Sequence, residues 1–194
     1  MNQRGFTLLE ITVVILIIGL LAAIVLANYR GGEKQSALLR STHRLAQDLR
    51  RAEEMAMSSE KVPPQLDPEG IGVFPKGGYG IYFIKDSDSY ILFADCDGGN
   101  EYNSWGSYIC KDADFNEGKF CDETIKELTL EEGIKIKTLS PSSLENSLSI
   151  TFTPPDPTVN ISGEDETVAE ITLCLKDNEN ITRTITVNKA GLID

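Results

Sequence analysis

The chain has little of what enzymes use for catalysis. It contains a single histidine, His43, so the sequence offers no Ser-His-Asp triad and no histidine metal site. Four cysteines are present, but none are spaced as C-x-x-C, which argues against structural zinc. No glycine-rich phosphate-binding loop occurs, because Gly77-Gly78 only precedes a predicted strand. These absences predict a protein that is not an enzyme.

Basic charge is scarce in most of the chain. The 194 residues include 18 basic and 30 acidic side chains, a net charge of −12. Residues 1–61 hold 8 basic and 6 acidic residues (+2), and residues 62–194 hold 10 and 24 (−14), which sum to −12. An acidic domain repels the phosphates of nucleic acids, so no nucleic acid partner is expected.

The sequence does have a long apolar run near its start. Residues 6–27 number 22 and include one ionisable side chain, Glu10. As a helix they would span roughly 33 Å at about 1.5 Å per residue, enough to cross the apolar core of a bilayer. An ordinary secretory signal peptide cleaved after Val25-Leu26-Ala27 is one alternative, although this run is longer than the apolar region of such signals. A plain membrane anchor is the other.

The residues that open this run form a motif. A short charged leader ends at Gly5, Phe6 begins the apolar run, and Glu10 lies at the fifth position after the glycine. This pattern resembles the prepilin leader of type IV pilins and type II secretion pseudopilins. The resemblance implies that a prepilin peptidase cleaves between Gly5 and Phe6 and that the new Phe6 amine is N-methylated. It also implies assembly with other pilin or pseudopilin subunits through the N-terminal helix.

Glu10 is the residue expected to direct that assembly. A carboxylate near lipid costs roughly 2.5–3.5 kcal/mol by insertion scales, so a partner cation is expected. The resemblance implies that Glu10 pairs with the Phe6 amine of a neighbouring subunit; a position close enough to the interface to stay solvated is the alternative. The same resemblance places the chain as a single-pass protein of the inner (cytoplasmic) membrane with an extracytoplasmic C-terminal domain.

The rest of the chain predicts an α+β fold. An apolar stripe at helical spacing predicts an amphipathic helix that covers a sheet: Leu38, Leu45, Leu49, Ala52 and Ala56. Gly31-Gly32 predicts a bend or hinge, and Pro63-Pro64 predicts the end of the helix. The predicted strands, mainly antiparallel, are 79–85, 89–95, 124–130, 134–139, 148–153, 159–162, 168–176 and 181–187. The fold is thus a long N-terminal helix, transmembrane and then amphipathic, packed on an antiparallel β-sheet domain.

These patterns divide the chain into a leader at 1–5, a transmembrane helix at 6–27, an amphipathic helix at 28–60 and an extracytoplasmic β-rich domain at 65–194. Further motifs are similar to those of the GspH/FimT class of minor pilins and pseudopilins: the helix at 41–56, the hairpin at 79–95, the turn at 152–157 and the closing segment at 186–193.

This similarity implies a structural subunit, a minor pilin or pseudopilin, of a type IV pilus or a type II secretion filament. One alternative is a DNA-receptor minor pilin of natural transformation, which the acidic charge disfavours. That function would need a basic patch, which could come from the clustered lysines Lys135 and Lys137 or from helix arginines left uncovered. The other alternative is a membrane-anchored β protein unrelated to filaments.

The cysteines predict disulfides. All four (Cys96, Cys110, Cys121 and Cys174) fall in the part of the chain that would be exported, and an even count in an oxidising compartment favours pairing. Of the three connectivities, the favoured one joins Cys110 to Cys121 and Cys96 to Cys174. Free thiols, as in an anaerobe or a reducing niche, are the alternative.

The loop after residue 94 contains candidate calcium ligands. Asp95, Asp97, Asn100 and Glu101 place side-chain oxygens at nearly alternating positions, as calcium loops do. The spacing does not match an EF-hand, because the glycines come too early. Calcium is therefore one expectation for this loop, and a solvated acidic loop pinned by a Cys110–Cys121 disulfide is the other. No other cofactor is expected.

Overall fold

The structure is a computed structural model that describes residues 7–64, 66, 72–103, 123–141, 146–154, 158–163 and 167–194, without the side chains of residues 27–30. One helix is followed by strands only: α1 (Leu8–Met57), β1 (Gly78–Ile84), β2 (Ser89–Asp95), β3 (Thr124–Thr129), β4 (Ile134–Ser140), β5 (Ser147–Thr153), β6 (Thr158–Ile161), β7 (Val168–Leu175) and β8 (Thr182–Asn188). The predicted α+β fold is confirmed, and each predicted strand is present with its ends within one residue. The chain divides into two compact units, Met1–Ser36 and Ala37–Asp194.

Helix α1 ends before the prolines that were predicted to stop it. Ser59 has a positive φ of 49°, and the Glu60 N–H donates to the Met55 carbonyl at 3.0 Å while the Ser59 N–H donates to that of Ala56 at 3.1 Å. This is a Schellman motif, in which a left-handed residue turns the chain and satisfies the last carbonyls of the helix. The helix is continuous through Gly31-Gly32, and a hinge there stays a prediction.

The strands form two antiparallel sheets rather than one. The first contains five strands in the order β3-β2-β1-β5-β6, and the second contains three in the order β4-β7-β8. The hairpin turn between β1 and β2 joins them, because the Asp86 N–H donates to the Ile136 carbonyl and the Ile136 N–H donates to the Ser87 carbonyl, each at 2.8 Å.

The second half of α1 lies on these sheets through the predicted stripe. Every stripe residue is at most 1% exposed and belongs to the same core as the inward side chains of both sheets. Burial of a leucine side chain contributes about 1.5–3 kcal/mol, so the stripe is a principal source of stability. Polar contacts fix the same helix at its edges. The Tyr90 hydroxyl donates to Asp48 at 2.6 Å, and Arg40 binds Glu131 through two hydrogen bonds of 2.7 and 2.8 Å.

Candidate functional site

The first half of α1 exposes its apolar side chains. Among the described residues it is the one helix long and apolar enough, by length and composition, to cross a membrane, with a mean hydropathy of 3.0 over 18 residues. Large side chains on all sides are exposed, from 48% at Val13 to 85% at Leu8. An apolar surface of this extent is stable only against lipid or other apolar helices. The segment is therefore suited to a membrane and to a bundle of similar helices.

Glu10 lies in the first turn of this helix and is exposed. Its N–H donates to the Thr7 carbonyl at 3.1 Å and lies 3.3 Å from the Thr7 hydroxyl oxygen, so Thr7 caps the helix. The Thr12 hydroxyl returns to the Leu8 carbonyl at 2.9 Å and needs no other partner. An exposed Glu10 carboxylate is open to a cation from another molecule. Gly5 and Phe6, the predicted cleavage pair, lie outside the described residues.

A second feature is a group of three carboxylates at the end of the β2–β3 pair. Asp95 is the last residue of β2, and Asp97 lies two positions after it. Glu123 immediately precedes β3. Antiparallel pairing brings these strand ends together, and the Ala94 N–H donates to the Glu123 carbonyl at 3.0 Å. One oxygen from each of the three carboxylates lies within 4.8 Å of the other two. Asp95 and Glu123 are fully buried.

Backbone N–H groups of the following loop hold both buried carboxylates. Asp95 accepts from Gly98 at 2.7 Å and from Asn100 at 2.8 Å. Glu123 accepts from Cys96 at 3.0 Å and from Asn103 at 2.9 Å. The carboxylates therefore determine the path of the loop from 96 to 103.

The pKa of Glu123 is raised to about 8, mainly by burial; the nearby Asp95 and Asp97 also raise it, and the N–H donors lower it. Burial is also the main cause that raises the pKa of Asp95 to about 6. Like charges this close in a buried place oppose joint ionisation. The group therefore favours either a retained proton or a bound cation.

Gly77 leaves room for this arrangement. A Cβ atom at Gly77 would collide with the Asp95 carboxylate, while the Gly77 N–H donates to the Asp95 carbonyl at 2.9 Å. A glycine is required at this position because the Asp95 side chain occupies the space that any other side chain would need.

Tyr102 attaches the loop to the five-stranded sheet. Its ring lies 4.8 Å from that of Tyr82 and 5.5 Å from that of Phe93 between centroids. Its hydroxyl lies 2.6 Å from the Thr124 hydroxyl, and its N–H donates to Ser149 at 3.2 Å. The loop from 96 to 103 is thus attached to the sheet through Tyr102, while Gly98, Gly99 and Glu101 stay exposed.

Two of the four predicted calcium ligands lie in the group and two do not. Asp95 and Asp97 are members, whereas Glu101 is exposed and outside it, and the Asn100 side-chain oxygen accepts from Asn160 at 2.9 Å. Glu123 was missed by the sequence reasoning. Only strand pairing brings it to the loop, and no local spacing connects it to Asp97.

The predicted Cys96–Cys174 disulfide is wrong. Cys174 is a buried free thiol in β7, where it lies between Lys135 of β4 and Thr182 of β8. Cys96 follows β2, in the other sheet. The two cysteines therefore belong to different sheets, which sequence spacing could not reveal. Cys110 and Cys121 lie outside the described residues, so their predicted pairing is not described.

Comparison with known proteins matches the start of the chain only. Residues 1–26 match the family model of the prokaryotic N-terminal methylation motif. No curated protein and no solved structure shows a significant match. The motif and the apolar helix that continues it fit an inner-membrane-anchored protein with a structural role. Together they support a type IV pilin-like protein, a substrate of prepilin peptidase that assembles with other pilins.

Proposed function

We propose that the protein is a minor pilin or pseudopilin, a structural subunit of a type IV pilus or a type II secretion filament. The observation that carries this proposal is the methylation motif at residues 1–26, which opens a helix with an exposed apolar first half. The second half of the same helix is packed on a β-rich unit with its own core. A filament subunit needs an apolar helix that can lie in the membrane and then in the helical bundle, and it needs a separately folded unit attached to that helix.

In this proposal, prepilin peptidase cleaves between Gly5 and Phe6, and the mature chain starts at a methylated Phe6 amine. Glu10 of one subunit then pairs with the Phe6 amine of its neighbour. The pairing removes the cost of an uncompensated carboxylate in an apolar bundle, roughly 2.5–3.5 kcal/mol by insertion scales, and so fixes the axial register.

Replacement of Glu10 by glutamine tests this mechanism. Glu10→Gln keeps the size of the side chain and removes its charge, so we expect normal cleavage but strongly reduced incorporation into filaments. Glu33→Gln is a matched control, because Glu33 is an exposed acid on the same helix. Wild-type incorporation of Glu10→Gln, measured by immunoblot of sheared filaments, would show that Glu10 does not set the register.

We also propose the finer organisation that the sequence predicts. The boundaries are a leader at 1–5, a transmembrane helix at 6–27, an amphipathic helix at 28–60 and an extracytoplasmic domain of the GspH/FimT class at 65–194. Added protease that digests the β-rich domain in spheroplasts, but not in sealed inverted vesicles, would support the extracytoplasmic placement. The opposite pattern would contradict it.

The exported domain is proposed to carry one disulfide, with Cys96 as one half. Because Cys174 has a free thiol, the proposed partner of Cys96 is one of the two remaining cysteines, Cys110 or Cys121. Alkylation of the unfolded, unreduced protein should modify two of the four cysteines. Modification of all four would exclude a disulfide.

Calcium is a proposed ligand of the Asp95, Asp97 and Glu123 carboxylates. Clustered carboxylate oxygens suit this hard cation, and the raised pKa values of Asp95 and Glu123 mean that a cation would relieve the repulsion at the site. Calcium, but not magnesium, should then raise the unfolding temperature, and Asp97→Asn should weaken the effect. Glu101→Gln is the matched control, because Glu101 is exposed and outside the group. No stabilisation by calcium would refute the site.

The DNA-receptor alternative gains little support from Lys135 and Lys137, one of the two sources of a basic patch that the sequence offered. Lys135 forms ion pairs with Asp86 at 2.9 Å and Glu179 at 2.8 Å, and Lys137 donates to the Glu179 carbonyl at 2.8 Å. Two carboxylates thus compensate the charge of Lys135, which leaves Lys137 as a single charged lysine rather than part of a cluster. Salt-sensitive binding of double-stranded DNA at low ionic strength would reopen this alternative.

A further inference from the structure

A groove lies between the end of α1 and strand β3, within the unit Ala37–Asp194. Its cavity measures about 430 Å³ and is lined by the last turns of the helix, the segment that follows it, and strands β2 and β3. The floor is apolar, with Val62, Leu92 and Leu128 each between 5% and 7% exposed. These side chains can contact the aliphatic part of a ligand without rearrangement.

The border of this groove is basic. Arg51, Lys61 and Lys126 line it, with Asp48 and Glu60 as the acidic members, so its charge is +1, whereas the whole unit Ala37–Asp194 has 15 basic and 28 acidic residues (−13). Asp48 already accepts the Tyr90 hydroxyl at 2.6 Å. Arg51 and Lys126 form no ion pair with any residue that the structure describes. The groove therefore presents positive charge within an otherwise acidic part of the chain.

Strand β3 gives the groove an edge to which another strand can add. It is the outer strand of its sheet, paired with β2 on one side and with no other described strand. An extended peptide beside such an edge makes main-chain hydrogen bonds and directs every second side chain to one face. On the helix-facing side, those side chains would meet the basic border and the apolar floor.

We propose that this groove binds an extended acidic segment of a neighbouring filament subunit, with carboxylates on Arg51 and Lys126 and aliphatic side chains on the floor. The inference rests on the proposed filament function for the source of the segment. Arginine suits this role because its planar guanidinium binds carboxylates in a bidentate manner. A nucleic acid fits less well, because its long polyanion would be repelled by the surrounding acidic surface.

The test uses the full chain in a zwitterionic detergent and a fluorescent peptide, followed by anisotropy. The peptide carries glutamate and valine in turn at every second position, with serine between them, so that both kinds of side chain face the groove. Arg51→Glu and Lys126→Glu should each weaken binding by at least about tenfold, because an attraction becomes a repulsion. Arg183→Glu and Lys189→Glu are matched controls with the same change of charge at exposed positions outside the groove, and they should change it by less than about twofold.

Three outcomes would overturn the inference: equal binding of the same peptide with glutamine in place of glutamate, equal losses in the control variants, or tighter binding of single-stranded DNA. Lys126→Gln is a milder second variant, because Lys126 is exposed and its neutral replacement leaves the core intact. The peptide assay needs no filament, so its failure is distinct from failure of the proposed function, which the Glu10→Gln incorporation assay tests independently.

Discussion

A rise in pH from about 5.5 to about 7.5 in calcium-free buffer should destabilise the β-rich unit through Glu123. The side chain is fully buried, and burial raises its pKa to about 8. In the unfolded chain a glutamate titrates near about 4.3. Between these values the folded protein keeps a proton that the unfolded chain has released, so stability falls as the pH rises toward the folded pKa.

The expected size follows from this proton difference. One proton changes the free energy of unfolding by about 1.4 kcal/mol per pH unit, so two units give at most ~3 kcal/mol. Asp95, whose pKa is raised to about 6, adds a loss of the same sign in the lower part of this range. Basic partners lower the pKa of four exposed carboxylates, so their contribution to stability is lost only at more acidic pH: Asp86, Asp88, Glu131 and Glu179.

The assay is urea denaturation of the full chain in detergent, followed by the near-ultraviolet circular dichroism of its buried tyrosines. Glu123→Gln imitates the protonated side chain and should remove most of the pH dependence, whereas Glu101→Gln, at an exposed position, should retain it. A free energy of unfolding that is flat or rises between the two pH values would refute the reasoning. An unchanged slope in Glu123→Gln would do the same.

Three further effects are expected. Leu45→Ala should destabilise the β-rich unit by about 2–5 kcal/mol in urea denaturation, because Leu45 is fully buried in the core; a loss below about 1 kcal/mol would contradict the helix packing. Tyr90→Phe should lower the free energy of unfolding by about 1.5–3 kcal/mol, because the Tyr90 hydroxyl binds the Asp48 carboxylate. Tyr79→Phe should lower it by about 0.5–1.5 kcal/mol, because the partner of that hydroxyl is a neutral carbonyl. The reverse order in the same assay would contradict this argument. The Cys174 thiol should resist alkylation until the protein unfolds, because it is buried and burial raises its pKa; rapid modification of the native protein, seen by mass spectrometry, would contradict its placement.

Local pattern was sufficient to predict the elements of this fold. The stripe from Leu38 to Ala56 follows helical spacing, and burial alternates along the strands over residues 168–173 and 184–188. Each pattern shows that one side of the helix or strand is buried, and it can be recognised from residues that are close together along the chain. The helix end was predicted less well, because Ser59, a residue without a strong preference for positive φ, turns the chain before the prolines.

Contacts between distant segments could not be predicted in the same way. The division into two sheets depends on which strands pair, and β1 pairs with β5 rather than with β4, although β4 is nearer in sequence. The carboxylate group has the same origin, since Glu123 joins Asp95 only after β2 and β3 pair. The disulfide prediction failed for this reason too, because it required Cys96 and Cys174 to meet across different sheets.

The most direct test of the proposed function is the intact mass and N-terminal sequence of the chain expressed with an active prepilin peptidase. We predict a mature chain that begins at N-methylated Phe6, with a mass lower by two hydrogen atoms for one disulfide. A chain that retains Met1 despite the active peptidase, or one that begins at Asn28, would contradict the filament-subunit function and the role of Glu10 together.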